Sequence, residues 1–84
     1  MTHFNEFIEL IHSVRDKKML ADLLVGVTTD KERRELVKRI EIIKRLLTGE
    51  PQQKIAADLS VGVATVTRGS KELSLGRFKV LRHS

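Results

Sequence analysis

The chain has 84 residues, 40% of them hydrophobic, a net charge of +5 and no cysteine. That length supports at most one small domain, the missing cysteines exclude disulfides and thiolate chemistry, and no apolar run approaches the roughly 20 residues of a membrane span. The N-terminal MTHFNEFIEL has no basic start before its apolar residues, so the expectation is a soluble cytoplasmic protein without a membrane partner.

Phe4, Phe7, Ile8, Ile11 and Val14 recur at spacings of three and four, the apolar stripe of a first helix. A second apolar stretch runs from Met19 to Val27 and stops at Gly26-Val27-Thr28-Thr29. Thr29 and Glu32 have the spacing of a capping box, in which the hydroxyl takes an orphan backbone N–H and the carboxylate reaches back to the cap. A third helix is therefore predicted from about Asp30. Leu36, Ile40, Ile43 and Leu47 form its stripe, Val37, Ile42 and Leu46 widen it, and Gly49 is placed to end it as a left-handed cap. So wide a stripe fits either the core of a monomeric bundle or a subunit interface. A chain of this size hides only about 60–65% of the surface that its unfolded form exposes, which favours a homodimer.

The next block, QQKIAADLSVGVATVTRGS, places Ile55, Leu59, Val61 and Val66 where two short helices would meet. Ala56 sits where they approach closely, Ser60-Val61-Gly62 forms the turn, and Pro51 suits the first turn of the leading helix. This is a helix-turn-helix pattern. Its outer face offers Val63, Ala64, Thr65, Thr67 and Arg68, small and polar groups suited to a major groove. From Pro51 onward Lys54, Arg68, Lys71, Arg77, Lys79 and Arg82 face only Asp58 and Glu72, an excess that suits a polyanion and equally suits a solvated basic surface. The predicted organisation is one all-α domain over 1–84, with a helical dimerisation core at 2–49, the helix-turn-helix at 51–73 and a short basic tail at 74–84.

Gly69 interrupts the second of those helices, where glycine costs roughly 1 kcal/mol relative to alanine. Three residues beyond Val66, it falls on the inward side. Two explanations fit: a neighbouring helix packs against bare backbone, or a flat small molecule fills the space. Arg68 beside it can both pair with a carboxylate and stack on an aromatic ring.

GVATVTRGS, with RRELVKRIEIIKRLLTGE upstream, resembles the Trp repressor family from about Leu20 to Leu73, and TRGS is the specific part. That family is itself a standard instance of helix-turn-helix docking and of water-mediated base readout. The resemblance implies an intertwined all-helical homodimer that takes L-tryptophan as corepressor, binds double-stranded operator DNA and represses operons of tryptophan biosynthesis or transport. It further implies an effector site in which Arg68 holds the carboxylate and one indole face, Arg39 covers the other face and Thr29 assists at the carboxylate. Gly69 would line the indole slot, and carbonyls around Gly26 would receive the ammonium. On the DNA side it implies Val63, Ala64, Thr65 and Thr67 at base edges, with Gln52, Gln53, Lys54, Ser70 and Lys71 near phosphates or the groove edge. Three departures from the pattern stand out. Glu72 replaces a small hydroxyl residue near the ammonium, where its carboxylate could pair with the ligand; GEPQQK is one residue shorter, with Pro51 in place of a serine cap; and LSLGRFKVLRHS is too short for the family's last helix.

An effector-independent regulator, one with a different ligand, or a helical protein-interaction module is the alternative reading. Catalysis is not expected, because there is no metal-ligand cluster, nucleophile–base spacing or glycine-rich phosphate loop, and no cofactor is implied. His12 reads as a helix-face residue, and His3 and His83 sit near the termini.

Overall fold

A computed structural model describes residues 2–82, which leaves His83 and the end of the basic tail outside the described residues. Every regular element among them is helical: α1 (Thr2–Ser13), α2 (Lys17–Val27), α3 (Asp30–Leu47), α4 (Gln52–Leu59), α5 (Val63–Ser74) and the single turn α6 (Lys79–Arg82). None of these helices is long and apolar enough to cross a membrane. The chain forms two compact units that divide within α3, one up to Arg33 and one from Arg34 onward.

In the first unit the predicted capping box is in place, and α2 has a cap that the sequence reading did not name. Asp16 caps α2 by accepting from the Lys18 amide at 3.0 Å. Thr29 N donates to Glu32 Oε1 at 2.8 Å while Glu32 N donates to Thr29 Oγ1 at 3.1 Å, which closes the capping box and starts α3 at Asp30. The backbone N–H of Thr29 holds the Glu32 carboxyl below its ordinary range. Arg33 Nη1 reaches back to the Val25 carbonyl at 3.1 Å and the Thr28 carbonyl at 2.8 Å, and so satisfies acceptors that the end of α2 leaves open. No residue of α1 or α2 is buried, although both helices carry the predicted apolar stripes.

The second unit holds the core. Ile42, Ile55, Ala56 and Val66 form it, with Leu46, Leu59 and Val61 packed around. The helix-turn-helix packing read from the sequence is thus observed. A single chain covers only part of the wide stripe of α3: Ile42 and Ile43 are buried, whereas Leu36, Ile40 and Leu47 are exposed. The reason is that α4 and α5 cover the face presented by Ile42, Ile43 and Leu46.

One C-terminal device repeats at the ends of α3, α4 and α5. A residue one or two positions past the helix is left-handed, its amide bonds back three residues, and the next amide bonds back five, which is the Schellman motif. At α3 Gly49 has φ 84, with Gly49 N to Leu46 O at 3.0 Å and Glu50 N to Arg45 O at 3.3 Å. At α5 Gly76 has φ 89, with Gly76 N to Leu73 O at 3.0 Å and Arg77 N to Glu72 O at 3.1 Å. At α4 the left-handed residue is Ser60 (φ 55), with Val61 N to Ala56 O at 3.0 Å. The expected turn glycine, Gly62, instead has an ordinary φ of −69 and precedes α5. Pro51 likewise stands one position earlier than expected: it is the N-cap of α4, and its carbonyl accepts from Ile55 N at 3.1 Å.

Candidate functional site

A cavity of about 580 Å³ lies between α3 and α5. Arg39, Ile42 and Ile43 of α3 line it, as do Ala64, Thr65, Arg68, Gly69 and Glu72 of α5, with Arg77 and Phe78 from the segment that follows. Its chemistry is an apolar floor between cations: isoleucines and bare glycine backbone, with Arg39 and Arg68 on different helices. Such a lining suits a planar apolar ligand with an acidic group, since guanidinium pairs bidentately with carboxylate and stacks on rings.

The backbone of Gly69 lies close against α3. A Cβ at that position would stand 3.0 Å from Ile43 Cδ1, 3.4 Å from Ile42 Cγ2 and 3.5 Å from Leu46 Cδ1. The glycine therefore lets α5 pack closely on α3, and the same bare backbone forms part of the cavity lining. Gly69→Ile is expected to lower the melting temperature, because overpacking costs typically 1–3 kcal/mol against at most about 1 kcal/mol regained from helix propensity. Gly69→Ala, which asks only the Ile43 terminus to shift, should stay close to the parent. Thermal unfolding of both variants checks the ordering, and an unchanged isoleucine variant would refute the close-packing assignment.

Of the effector residues expected from the sequence, Arg39, Arg68, Gly69 and Glu72 share this cavity. Gly26 and Thr29 belong to the first unit: Gly26 lies in the last turn of α2, and Thr29 is the reciprocal partner of Glu32. Glu72 Oε2 accepts from Arg77 Nε at 3.0 Å. Phe78 has φ 64, a left-handed backbone that costs an ordinary residue roughly 1–2 kcal/mol and that here accompanies a ring on the cavity wall. Sequence reasoning missed Arg77 and Phe78.

Among the residues expected at DNA, Val63, Thr67 and Lys71 are exposed on α5, while Ala64 and Thr65 line the cavity and Ser70 is half-buried. Gln53 is exposed on α4, and Gln52 Oε1 accepts from Thr67 Oγ1 at 2.7 Å, which ties the start of α4 to α5. Lys54 is engaged: its Nζ lies 2.8 Å from Asp58 and 3.7 Å from Glu50. Arg45 bonds the carboxylates of both Glu50 and Asp58, fastening the end of α3 to α4.

This network has a pH signature. Hydrogen bonds from Arg45, and next from Lys54, push the Asp58 carboxyl down to about 2. Hydrogen bonding to Arg45 likewise lowers Glu50, and hydrogen bonding to Asp58 raises Lys54. An unfolded aspartate titrates near 3.9, so the Asp58 contribution to stability is complete above about pH 4 and is lost as pH falls through about 2. Asp58→Asn should therefore show a shallower decline of melting temperature than the parent between roughly pH 4 and pH 2. Parallel acid limbs would mean that the pairing adds no stability.

The chain matches the family described as Trp repressor protein over residues 2–80. A Trp operon repressor homolog of Vibrio vulnificus is 40% identical over 75 residues, which cover 88% of this chain and 74% of the relative. The homolog of Vibrio campbellii is 42% identical over 71 residues, covering 83% and 71%, and that of Aliivibrio fischeri 41% over 71 residues, covering 83% and 66%.

Proposed function

Since this chain belongs to the Trp repressor family, a family of transcriptional regulators and not of enzymes, we propose that it is a homodimeric repressor whose affinity for operator DNA is set by L-tryptophan bound between α3 and α5. The observation that carries this reading is the cavity in which Arg39 and Arg68 flank the bare backbone of Gly69. A ligand seated there would touch α3 on one side and α5 on the other, and so bias the angle at which the helix-turn-helix stands. The ring would rest on Ile42, Ile43 and Gly69, and the carboxylate would take the Arg68 guanidinium. Operons of tryptophan biosynthesis or transport are the proposed targets and the cytoplasm the proposed compartment.

Dimerisation is supported by what one chain leaves uncovered. Phe4, Ile8, Leu10 and Met19 are exposed, as are Leu36, Val37 and Ile40 on α3. So many exposed large apolar side chains on a chain of this size support a subunit interface, and sedimentation at micromolar concentration should return a dimer. In such a dimer the paired α5 helices would reach major grooves about one helical turn, roughly 34 Å, apart.

Binding to DNA is tested by salt dependence. Removing one side chain that neutralises a phosphate reduces the steepness of log affinity against log salt by about 0.9. Lys71→Ala should show that full decrement, because the Lys71 side chain is exposed on α5. Lys54→Ala should show less, because Asp58 already balances that charge. An unchanged slope for Lys71→Ala would remove it from the DNA face, and equal decrements would mean that Lys54 leaves Asp58 for a phosphate.

A further inference from the structure

This inference rests on reading the chain as a DNA-binding protein and concerns which of its cations meet the phosphate backbone. The charged residues of α4 are Lys54 and Asp58, one helical turn apart. They are joined, since Lys54 Nζ lies 2.8 Å from Asp58 Oδ2. The same Asp58 oxygen accepts from Arg45 Nη2 at the end of α3, and Arg45 Nε donates to Glu50 at 3.0 Å. The Arg45 side chain is 18% exposed and holds both carboxylates, which fixes Asp58 in place, whereas the Lys54 side chain is 59% exposed. Two carboxylates face one guanidinium here, so Lys54 completes the charge balance, and Glu50 at 3.7 Å adds to its retention.

The start of α4 borders the exposed face of α5, because Gln52, two residues before Lys54, accepts from Thr67 of that face. Of the other cations after Pro51, Arg68 and Lys71 are exposed on α5, Lys79 and Arg82 are exposed on α6, and Arg77 is paired with Glu72. A phosphate that took Lys54 would have to break its pair with Asp58, and Arg45, Glu50 and Asp58 would then keep one uncompensated negative charge near the DNA backbone. We infer that Asp58 restrains the affinity of this chain for DNA: fixed by Arg45, it keeps Lys54 in an ion pair, so that α4 offers phosphates no net positive charge and the cationic surface of the helix-turn-helix is confined to α5.

Phosphate contacts carry no base sequence, so a synthetic duplex of arbitrary sequence is a sufficient probe, and its affinity for the full chain is measured across a range of salt. Asp58→Asn keeps the shape of the side chain, removes its charge and leaves Arg45 with Glu50. This variant should bind the duplex roughly two- to fivefold tighter at low salt, the range of an exposed ion pair. Its log affinity should also fall more steeply with log salt, by about 0.9 for each phosphate that the released Lys54 neutralises. Adding Lys54→Ala to Asp58→Asn should remove the extra steepness, and Asp58→Glu, which keeps the charge, should retain the parent slope. The Asp58 side chain is 43% exposed, so these variants are expected to fold, and circular dichroism checks that. A slope that Asp58→Asn does not move overturns the inference, as does a steeper slope that survives the added Lys54→Ala, which would assign the gain to the lost carboxylate alone. If the parent binds with salt-dependent affinity and Asp58→Asn leaves it unchanged, the DNA-binding reading stands and only the restraint by Asp58 falls. If the parent shows no salt-dependent binding, that reading falls and this inference with it.

Discussion

Ile55→Ala is expected to destabilise the second unit by about 2–5 kcal/mol, the usual cost of truncating a fully buried aliphatic side chain. Ile55 has no exposed surface and belongs to a core whose other buried members among the described residues are Ile42, Ala56 and Val66, so few neighbours can close in on the space it leaves. Small domains have only about 5–15 kcal/mol of stability in total, and each kcal/mol moves the midpoint by about 4–8 °C at this size, so the melting temperature should fall by roughly 10 °C or more. The exposed Val63 provides the contrast, since its truncation should change stability by less than about 0.5 kcal/mol. Thermal unfolding followed by circular dichroism separates the two. Similar small shifts for both variants would mean that α4 and α5 do not depend on this core.

Arg68→Ala should weaken L-tryptophan binding by about 10- to 150-fold, which corresponds to losing a hydrogen bond to a charged group worth roughly 1.5–3 kcal/mol. The Arg68 side chain stands on the exposed part of α5 beside Gly69, so the fold should survive its removal. Arg68→Lys should recover only part of the affinity, because an ammonium can neither fork onto the carboxylate nor lie flat on a ring. Titration calorimetry of the three proteins reads this directly. Full recovery in the lysine variant would show that charge alone matters there, and unchanged affinity in the alanine variant would move the ligand elsewhere.

The helices and their caps were legible because each rests on local chemistry. Thr29 and Glu32 announce the start of α3, Gly49 its end, and the spacing of Ile55, Leu59, Val61 and Val66 the packing of α4 on α5. The facing of α3 was not legible, because its apolar residues cover too wide an arc and only the position of α4 and α5 selects Ile42 and Ile43 from it. Ser60 in the left-handed position was missed for a related reason. Glycine at position 62 was the stronger turn signal, but the hydrogen bonds from Ser60 and Val61 close the helix two residues earlier.

The cavity was half readable. Arg39, Arg68, Gly69 and Glu72 came from the resemblance, and Gly69 also from its spacing to Val66, but spacing alone left open whether ligand or helix met the bare backbone. Arg77 and Phe78 lie beyond α5, where a tail was expected, and only the reversal at Gly76 returns them to the cavity. A signal for that reversal was present in ELSLGR, since glycine four residues after a glutamate and directly before an arginine suits a Schellman turn closed by an ion pair. Lys54 shows the opposite limit: its charge pointed to DNA, but nothing local revealed that Asp58, one helical turn away, would hold it.

The most direct test of effector-controlled DNA binding is the affinity of the parent chain for a duplex enriched from a random pool, measured with and without saturating L-tryptophan at fixed salt. The proposed coupling between the α3–α5 cavity and the helix-turn-helix predicts tighter binding with tryptophan, by a factor in the range of about 5–150 that allosteric coupling usually spans. Equal affinity in the two conditions, or failure of the pool to yield any preferred duplex, would contradict it.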